Sequence, residues 1–218
     1  SRIELPGSSP LPGSVVPVHD HDVGRFDRWS SRYDRSILQP LLFAPVQMAT
    51  LAEAQRELRD VRAVLDVGCG TGQLLRRAAV RFPGAELVGA DPAPGMLERA
   101  RESHQDEIEF VNTSAEKLPF PDACFDLVVT TLSFHHWADQ QQGLREVRRV
   151  LRDEGLFVLT DGSVPGWLRW AFAFRRGGGR LQSPEALDDL LTKAGLRTIS
   201  RGSVPWRRQI LITLARPA

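Results

Sequence analysis

The sequence predicts an α/β fold in which helices cover both faces of a mostly parallel sheet. From residue 61 onwards, short apolar runs alternate with segments whose apolar residues recur at helical spacing. Strict alternation of this kind is typical of βαβ units with strands buried on both faces. The first apolar run leads into a glycine-rich loop, and the second ends in a carboxylate. Because parallel sheets bind ligands at the carboxyl ends of their strands, we expect a site there.

The N-terminal residues are expected to form a tail and then a helical cap. Residues 1–22 are rich in Pro, Gly and Ser without periodicity, which is typical of a flexible segment. Residues 23–60 have helical periodicity, and we expect Pro40 and Pro45 to break them into separate helices. One predicted helix face carries three aromatic residues, Phe26, Trp29 and Tyr33. Two roles are equally open for this face, which are packing in the core and contact with a bound cation.

The main domain, residues 61–218, is predicted to alternate between strands and helices. Strands are expected near residues 62–67, 85–91, 107–112, 124–131, 155–161, 196–203 and 208–215. Helices are expected near residues 71–82, 93–103, 139–151 and 183–195. Ser183 and Pro184 are typical of a helix start, and Gly195 is typical of a helix end. Residues 202–208 would then form the turn between the last two strands.

The glycine loop indicates which kind of cofactor the site binds. A dinucleotide site usually shows G-x-G-x-x-G beside a pyrophosphate, whereas residues 66–72 read D-x-G-x-G-x-G. Asp66 at the loop entrance would repel a pyrophosphate but attract an ammonium group. Asp91 follows at about 20 residues, the spacing at which a carboxylate meets ribose hydroxyls. The pattern therefore favours S-adenosylmethionine, which has a ribose and an ammonium group but no phosphate, over NAD.

Four segments, in this order along the chain, resemble class I S-adenosylmethionine-dependent methyltransferases. They are residues 66–72, Asp91, residues 114–120, and residues 125–129 followed by Phe134-His135-His136-Trp137. The similarity is to the branch that contains the quinone-biosynthesis methyltransferases and many small-molecule enzymes. It implies a three-layer Rossmann-like sandwich, with N-terminal capping helices and a seven-stranded sheet that ends in an antiparallel hairpin.

The resemblance implies binding residues for each part of the cofactor. The amino-acid tail would be held by Asp66, Gly68 and Gly70, and the ribose by Asp91. The adenine would be held by Ser114, Ala115 and Leu118. Adjoining residues complete the predicted set: Cys69, Pro92, Glu116 and Thr131. Ser114 departs from the family, which usually has an Asp there, and a hydroxyl accepts a hydrogen bond without charge. We expect adenine recognition to be kept, with a weaker contribution from this position.

The segment after the fourth strand is predicted to supply a general base. His135 and His136 follow the carboxyl end of that strand, beside the expected cofactor site. Packing against a helix is the alternative role for either ring. Tyr33, the only tyrosine, is the third catalytic candidate because aromatic faces attract cations such as the sulfonium. A base is not obligatory, since an already ionised acceptor needs only alignment with the methyl carbon.

Composition narrows the choice of partners. The net charge of +1 gives no basic field for nucleic acid, and neither a membrane span nor a signal peptide is evident. Cys69 and Cys124 form no disulfide framework. We expect Cys69 to be a structural small residue of the glycine loop and Cys124 to be buried. The alternating residues 19–22 (His-Asp-His-Asp) point to both sides of an extended chain, so no metal is predicted. We expect a cytoplasmic monomer or homodimer that acts on a small-molecule methyl acceptor.

The sequence therefore predicts a methyltransferase that moves the methyl group of S-adenosylmethionine to an O, N or C atom of a small molecule. Two alternatives stay open. A non-catalytic S-adenosylmethionine-binding module that regulates a partner would share the loop, and the departure at Ser114 is compatible with it. An NAD-dependent oxidoreductase is disfavoured by the early third glycine and by Asp66.

Overall fold

The computed structural model describes residues 38–103, 108–163 and 180–218. These ranges contain the strands β1 (Ala63–Val67), β2 (Glu86–Asp91), β3 (Ile108–Asn112), β4 (Phe125–Thr131), β5 (Leu151–Gly162), β6 (Leu196–Val204) and β7 (Arg207–Pro217). The helices are α1 (Leu38–Glu57), α2 (Gln73–Arg81), α3 (Pro94–Ser103), α4 (Gln140–Val150) and α5 (Pro184–Lys193). A short 3-10 helix, Phe134–His136, follows β4.

The strands form one sheet in the order β3-β2-β1-β4-β5-β7-β6. Strands β1 to β5 run parallel, and β7 pairs antiparallel with both β5 and β6. The predicted seven-stranded, mostly parallel sheet with a C-terminal antiparallel hairpin is therefore confirmed. The direction of strand order reverses between β1 and β4, which lie side by side with Asp66 opposite Val129. Ligands bind above the carboxyl ends of the strands at such a reversal.

Helices on both faces divide the interior into two apolar cores. Successive side chains of a strand point to opposite faces, so Leu65 of β1 lies in the core under α4 and α5. Val64 lies in the other core, under α1, α2 and α3. None of the helices in the described ranges is long and apolar enough to cross a lipid bilayer.

Local sequence signals position the ends of the last two helices. Asp139 caps α4 by accepting a hydrogen bond from the nitrogen of Gln142 at 3.0 Å. Ser183 caps α5 by accepting from the nitrogen of Ala186 at 3.3 Å. Gly195, with φ of 77°, ends the same helix in the left-handed region that favours glycine. The predicted start and end of this helix are confirmed.

The prediction that Pro45 breaks the N-terminal helical segment is wrong, whereas the break at Pro40 stays a prediction because the residues before Leu38 lie outside the described ranges. Helix α1 runs through Pro45 without interruption. Pro40 lies in the first turn, where no intrahelical hydrogen bond is lost. Beyond Pro45, Val46 and Leu51 are buried against the sheet, and this packing outweighs the one missing backbone hydrogen bond.

The predicted turn at residues 202–208 is also too wide. Pairing between β6 and β7 continues as far as Val204 and Arg207, so that only Pro205 and Trp206 lie between the strands. Ladder hydrogen bonds extend a hairpin to the tightest connection its residues allow.

Some predictions concern residues outside the described ranges. These are the tail, residues 1–22, and the aromatic face that carries Phe26, Trp29 and Tyr33. The catalytic role of Tyr33 and the division of the chain after residue 60 stay predictions.

Candidate functional site

The glycine loop connects β1 to α2 above the carboxyl end of β1. Gly68, Gly70 and Gly72 have φ of 79°, 54° and 73°, in a region that L side chains rarely adopt. The nitrogens of Gly68 and Cys69 donate to the carbonyl oxygen of Ala90 at 2.8 and 3.2 Å. These bonds anchor the loop to the end of β2.

The segment that follows β4 packs directly against this loop. A Cβ placed on Gly68 would lie 1.9 Å from Oγ and 2.5 Å from Cβ of Ser133. Nε1 of Trp137 donates to the same Oγ at 3.3 Å and holds it there. Glycine at position 68 is therefore required by a close approach, and this approach joins the glycine loop to the histidine segment.

Asp91 ends β2, where the sequence predicts a ribose-binding carboxylate. Its Oδ2 accepts from the nitrogen of Gly70 at 2.8 Å, and its Oδ1 accepts from the nitrogen of Ala93 at 2.9 Å. The residue is only 8% exposed. Through these two bonds Asp91 braces the glycine loop against the start of the segment that leads into α3.

Asp66 is more deeply buried than its predicted place at the entrance of the glycine loop indicates. The residue is 1% exposed, and its Oδ1 has no hydrogen-bond partner within the described part of the chain. Burial, reinforced by the charge of Asp91, raises the pKa of Asp66 from 3.8 to about 8. An unsatisfied buried acceptor costs about 1–3 kcal/mol. An ammonium group would relieve that cost, whereas a pyrophosphate would not.

The predicted adenine segment follows β3 and is held in place by α4. Oε2 of Glu146 accepts from the nitrogen of Leu118 at 2.9 Å. The Arg149 guanidinium donates to the carbonyl oxygens of Leu118 and Phe120 at 2.8 and 2.7 Å. Glu146 and Arg149 also form an ion pair with each other at 2.8 Å. The backbone of the segment is therefore fixed without a ligand.

Within this segment the predicted adenine residues differ in accessibility. Ser114 is half-buried, whereas Ala115 and Leu118 are buried and belong to the core under α4. Oε1 of Glu116 accepts from the nitrogen of Asp139 at 3.1 Å and so contacts the start of α4. The contacts of these residues with adenine stay predictions.

The remaining predicted cofactor residues adjoin strand ends. Pro92 and Thr131 are half-buried at the ends of β2 and β4. Cys69 is buried, and burial, together with the negative charge of Asp91, raises the pKa of its thiol. Cys124 is also buried, and its Sγ donates to the carbonyl oxygen of Pro121 at 3.1 Å. The predicted burial of Cys124 is confirmed.

His135 forms a close pair with Asp161, the penultimate residue of β5. Nδ1 of His135 lies 2.8 and 2.9 Å from the two carboxylate oxygens, and its backbone nitrogen donates to Oδ2 at 3.0 Å. The exposed fractions of the two side chains are 20% and 5%. Because an ionised carboxylate only accepts hydrogen bonds, the proton lies on Nδ1 and Nε2 is left basic.

The backbone around this pair is held in a strained conformation. Leu132, between β4 and the 3-10 helix, has φ of 53°, and such a conformation costs a branched residue about 1–3 kcal/mol. Its nitrogen donates to the carbonyl oxygen of Thr160 at 2.8 Å, which fixes the turn. The ring centroid of His136 lies 4.0 Å from that of His135. Both predicted histidines are therefore brought together at the carboxyl edge of β4.

The buried side-chain amide of Gln140, in the first turn of α4, supports the turn that carries the two histidines. Nε2 of Gln140 donates to the carbonyl oxygens of Phe134 and Arg180, each at 3.0 Å. Its Oε1 accepts from Nε2 of Gln182 at 2.6 Å. The nitrogen of Arg180 donates to the carbonyl oxygen of His135 at 2.8 Å. Three separate segments thus hold the backbone on which His135 lies.

Sequence reasoning missed Asp161 and Gln140. A signal for Asp161 was present, because a carboxylate near the carboxyl end of a predicted strand is the pattern that indicated Asp91. The strand order, which brings β5 beside β4, was needed to connect it with His135. Gln140 gave no signal, since a glutamine in the first turn of a helix is usually solvated.

Comparison with known proteins agrees with this geometry. Residues 65–159 match a family described as "Methyltransferase domain". A demethylmenaquinone methyltransferase of Thermus thermophilus is 41% identical over 107 residues, which are 48% of this chain and 49% of the relative. The enzyme of the same name from Deinococcus radiodurans is 39% identical over 127 residues, 57% of this chain and 53% of the relative. The chain thus spans about half the length of these curated relatives.

A solved structure shows the same fold at lower identity. The 1,6-didemethyltoxoflavin-N1-methyltransferase of Burkholderia thailandensis, solved with S-adenosylhomocysteine, has a TM-score of 0.70 and 18% identity. The match covers 96% of this chain and 94% of that one.

The sheet order and the helices on both faces define an α/β domain of the three-layer, Rossmann-like kind. Residues 65–159 are similar to the methyltransferase domain family, and the chain resembles the quinone-biosynthesis methyltransferases among its relatives.

Proposed function

We propose that this protein transfers a methyl group from S-adenosylmethionine to a small-molecule acceptor, with His135 as general base. One observation carries the proposal. The glycine loop, which follows the buried carboxyl group of Asp66, packs through Gly68 against the segment that bears His135. The glycine loop and an oriented imidazole are therefore neighbours at one edge of the sheet, an arrangement that suits base-assisted methyl transfer.

The residues proposed to hold the cofactor are carboxyl and hydroxyl side chains at the strand ends around the loop. Asp66 would accept from the ammonium group, Asp91 from the ribose hydroxyls and Ser114 from the adenine amino group. Tyr33 is proposed to face the sulfonium, because aromatic rings attract cations. The cofactor supplies an electrophilic methyl group on its sulfonium sulfur.

The role proposed for His135 is to accept the proton that the acceptor loses. The carboxylate of Asp161 holds Nδ1, so Nε2 is the nitrogen that takes the proton. The same buried carboxylate then stabilises the imidazolium. This role needs an acceptor that carries a removable proton, such as a hydroxyl, an N–H or an acidic C–H group. His136 is the second candidate for the role.

The relatives' names support a small organic acceptor methylated on O, N or C. The net charge of +1 supports an acceptor other than nucleic acid. A monomer or homodimer in the cytoplasm, without a membrane partner, completes the proposal.

Isothermal titration calorimetry with S-adenosylhomocysteine tests the cofactor part. We expect binding to the wild type, and Asp91→Ala should weaken it by about 1–3 kcal/mol because a charged hydrogen bond to ribose is lost. Asp153→Ala is the matched control, since the Asp153 side chain is 85% exposed on the surface. Absence of binding at millimolar ligand would overturn the proposal, and binding of NAD instead would indicate an oxidoreductase.

A further inference from the structure

Gln47 is a buried polar residue that the proposed function does not yet use. It is 8% exposed, and its Oε1 has no hydrogen-bond partner within residues 38–103, 108–163 and 180–218. Buried amide oxygens are almost always paired. An orphaned one in a helix that covers the sheet therefore needs an explanation.

The direction of α1 puts Gln47 at the carboxyl edge of the sheet. Oγ1 of Thr50 lies 2.8 Å from Oγ1 of Thr160, near the carboxyl end of β5. Further along α1, Arg216 bridges the carbonyl oxygens of Glu57 and Glu154, near the start of β5. Helix α1 therefore runs antiparallel to β5, and its earlier residues extend towards the carboxyl edge.

Gln47 precedes Thr50 by one helical turn on the same face. At about 1.5 Å per residue, it lies about 4.5 Å further towards that edge than the contact with Thr160. The next residue of β5 is Asp161, the partner of His135. Along the direction of β5, Gln47 is thus level with the candidate site.

Asp66 points to the same face of the sheet as α1. Its neighbours Leu65 and Val67 lie in the core under α4 and α5, so alternation turns Asp66 towards the opposite core. That core contains Val46, which adjoins Gln47. Helix α1 also contacts α2, which leads out of the glycine loop, through Gln55 and Arg81 at 3.3 Å. Two orphaned buried oxygens therefore lie on one face, at the edge that carries the glycine loop.

We propose that Gln47 is a second acceptor for the α-ammonium group of S-adenosylmethionine, acting together with Asp66. An ammonium group has three N–H donors, and the orphaned Oδ1 of Asp66 satisfies one of them. A neutral amide oxygen adds an acceptor without adding a like charge beside Asp66 and Asp91. This assignment rests on the proposed function and identifies α1 as a wall of the cofactor site.

The test compares two ligands that differ in the amino-acid tail. S-adenosylhomocysteine carries the ammonium group, whereas 5′-methylthioadenosine lacks the whole tail. For Gln47→Leu, the dissociation constant of S-adenosylhomocysteine should rise about tenfold, as expected for the loss of a hydrogen bond to a charged group. The dissociation constant of 5′-methylthioadenosine should not change. Calorimetry measures both constants.

The matched control is Gln55→Leu, the same substitution at an exposed position of the same helix. It should leave both constants unchanged. If Gln47→Leu does not fold, as judged by its melting curve, Gln47→Met keeps the length of the side chain but removes its acceptor, and it should weaken the binding of S-adenosylhomocysteine about tenfold without changing that of 5′-methylthioadenosine.

Equal weakening of both ligands, or no weakening of either, in the Gln47 variant that folds would overturn the assignment. Failure of the wild type to bind S-adenosylhomocysteine is a different result, because it would remove the proposed function itself.

Discussion

Asp66 is a single buried carboxyl group that couples cofactor binding to pH. Its pKa of about 8 means that it is protonated in the free protein at neutral pH. An ammonium ligand favours the ionised form, so binding releases a proton. We expect affinity for S-adenosylhomocysteine to rise with pH, by at most about tenfold per unit, and to level off above about pH 8. Calorimetry in buffers of different ionisation enthalpy measures the released proton.

The raised pKa of Asp66 makes the stability of the fold depend on pH in the direction opposite to that of ligand affinity. Because the pKa of Asp66 is higher in the folded protein than its ordinary value of 3.8, its contribution to the free energy of unfolding is complete below that value. The contribution is lost as pH rises through about 8. Asp66→Asn should remove both dependences, and proton release that persists in this variant would contradict the assignment.

Asp161 is the residue whose removal should separate catalysis from cofactor binding. Both of its oxygens accept backbone hydrogen bonds, from the nitrogens of His135 and Gly162. In Asp161→Asn one oxygen becomes an NH2 group, which disfavours the tautomer with the proton on Nδ1. We expect turnover to fall about a hundredfold or more, with affinity for S-adenosylhomocysteine unchanged. Nitrogen-15 NMR of the His135 ring reports the tautomer without any acceptor.

The control for this variant is Asp188→Asn, on α5, where the carboxylate pairs with Arg201 instead. It should leave the His135 tautomer as in the wild type. A wild-type His135 with its proton on Nε2 would be incompatible with its role as a base.

At the scale of elements, the glycine loop contacts the turn after β4. This contact joins the cofactor side of the candidate site to its acceptor side. Gly68→Ala would push a Cβ into Ser133 and would also strain a φ of 79°. We expect the free energy of unfolding to fall by about 2–5 kcal/mol, the sum of a steric and a backbone cost. Urea denaturation measures the loss.

Gly84→Ala separates the two costs, because Gly84 has φ of 83° with no atom within 4 Å of the added Cβ. This control should lose only the backbone part, about 1 kcal/mol. The double variant Gly68→Ala/Ser133→Gly should recover the steric part. Equal losses in Gly68→Ala and Gly84→Ala would show that the loops do not press on each other.

The elements also show how far sequence reasoning reaches in this chain. Periodicity and glycines located the strands and helices of the main domain, because those patterns follow from local geometry. Pro45 was misjudged, since the packing that maintains α1 comes from the distant β4 and β5. Asp66 and Asp91 could be predicted because they adjoin a glycine loop. Gln47 could not, because its environment depends on the direction of a helix across the sheet.

At the scale of the whole molecule, the candidate site collects segments that are far apart in sequence. The glycine loop, the end of β2, the turn after β4, the end of β5 and the first half of α1 all meet one edge of the sheet. The sheet behind them is rigid, with both faces buried. A ligand that bridges these segments stabilises them together, and so the site and the fold are energetically linked.

That linkage predicts that the correct ligand raises the melting temperature of the protein by several degrees. At a concentration of about 100 times its dissociation constant, S-adenosylhomocysteine should add about 2.7 kcal/mol to the free energy of unfolding. For a domain of this size the melting temperature should rise by about 5–10 °C. NAD and NADP should produce no rise, because a pyrophosphate at the loop offers no donor to the orphaned Oδ1 of Asp66. Differential scanning fluorimetry with the three ligands makes the comparison. A rise with NAD alone would mean that the loop binds a dinucleotide after all, since only a ligand of the folded state shifts the transition.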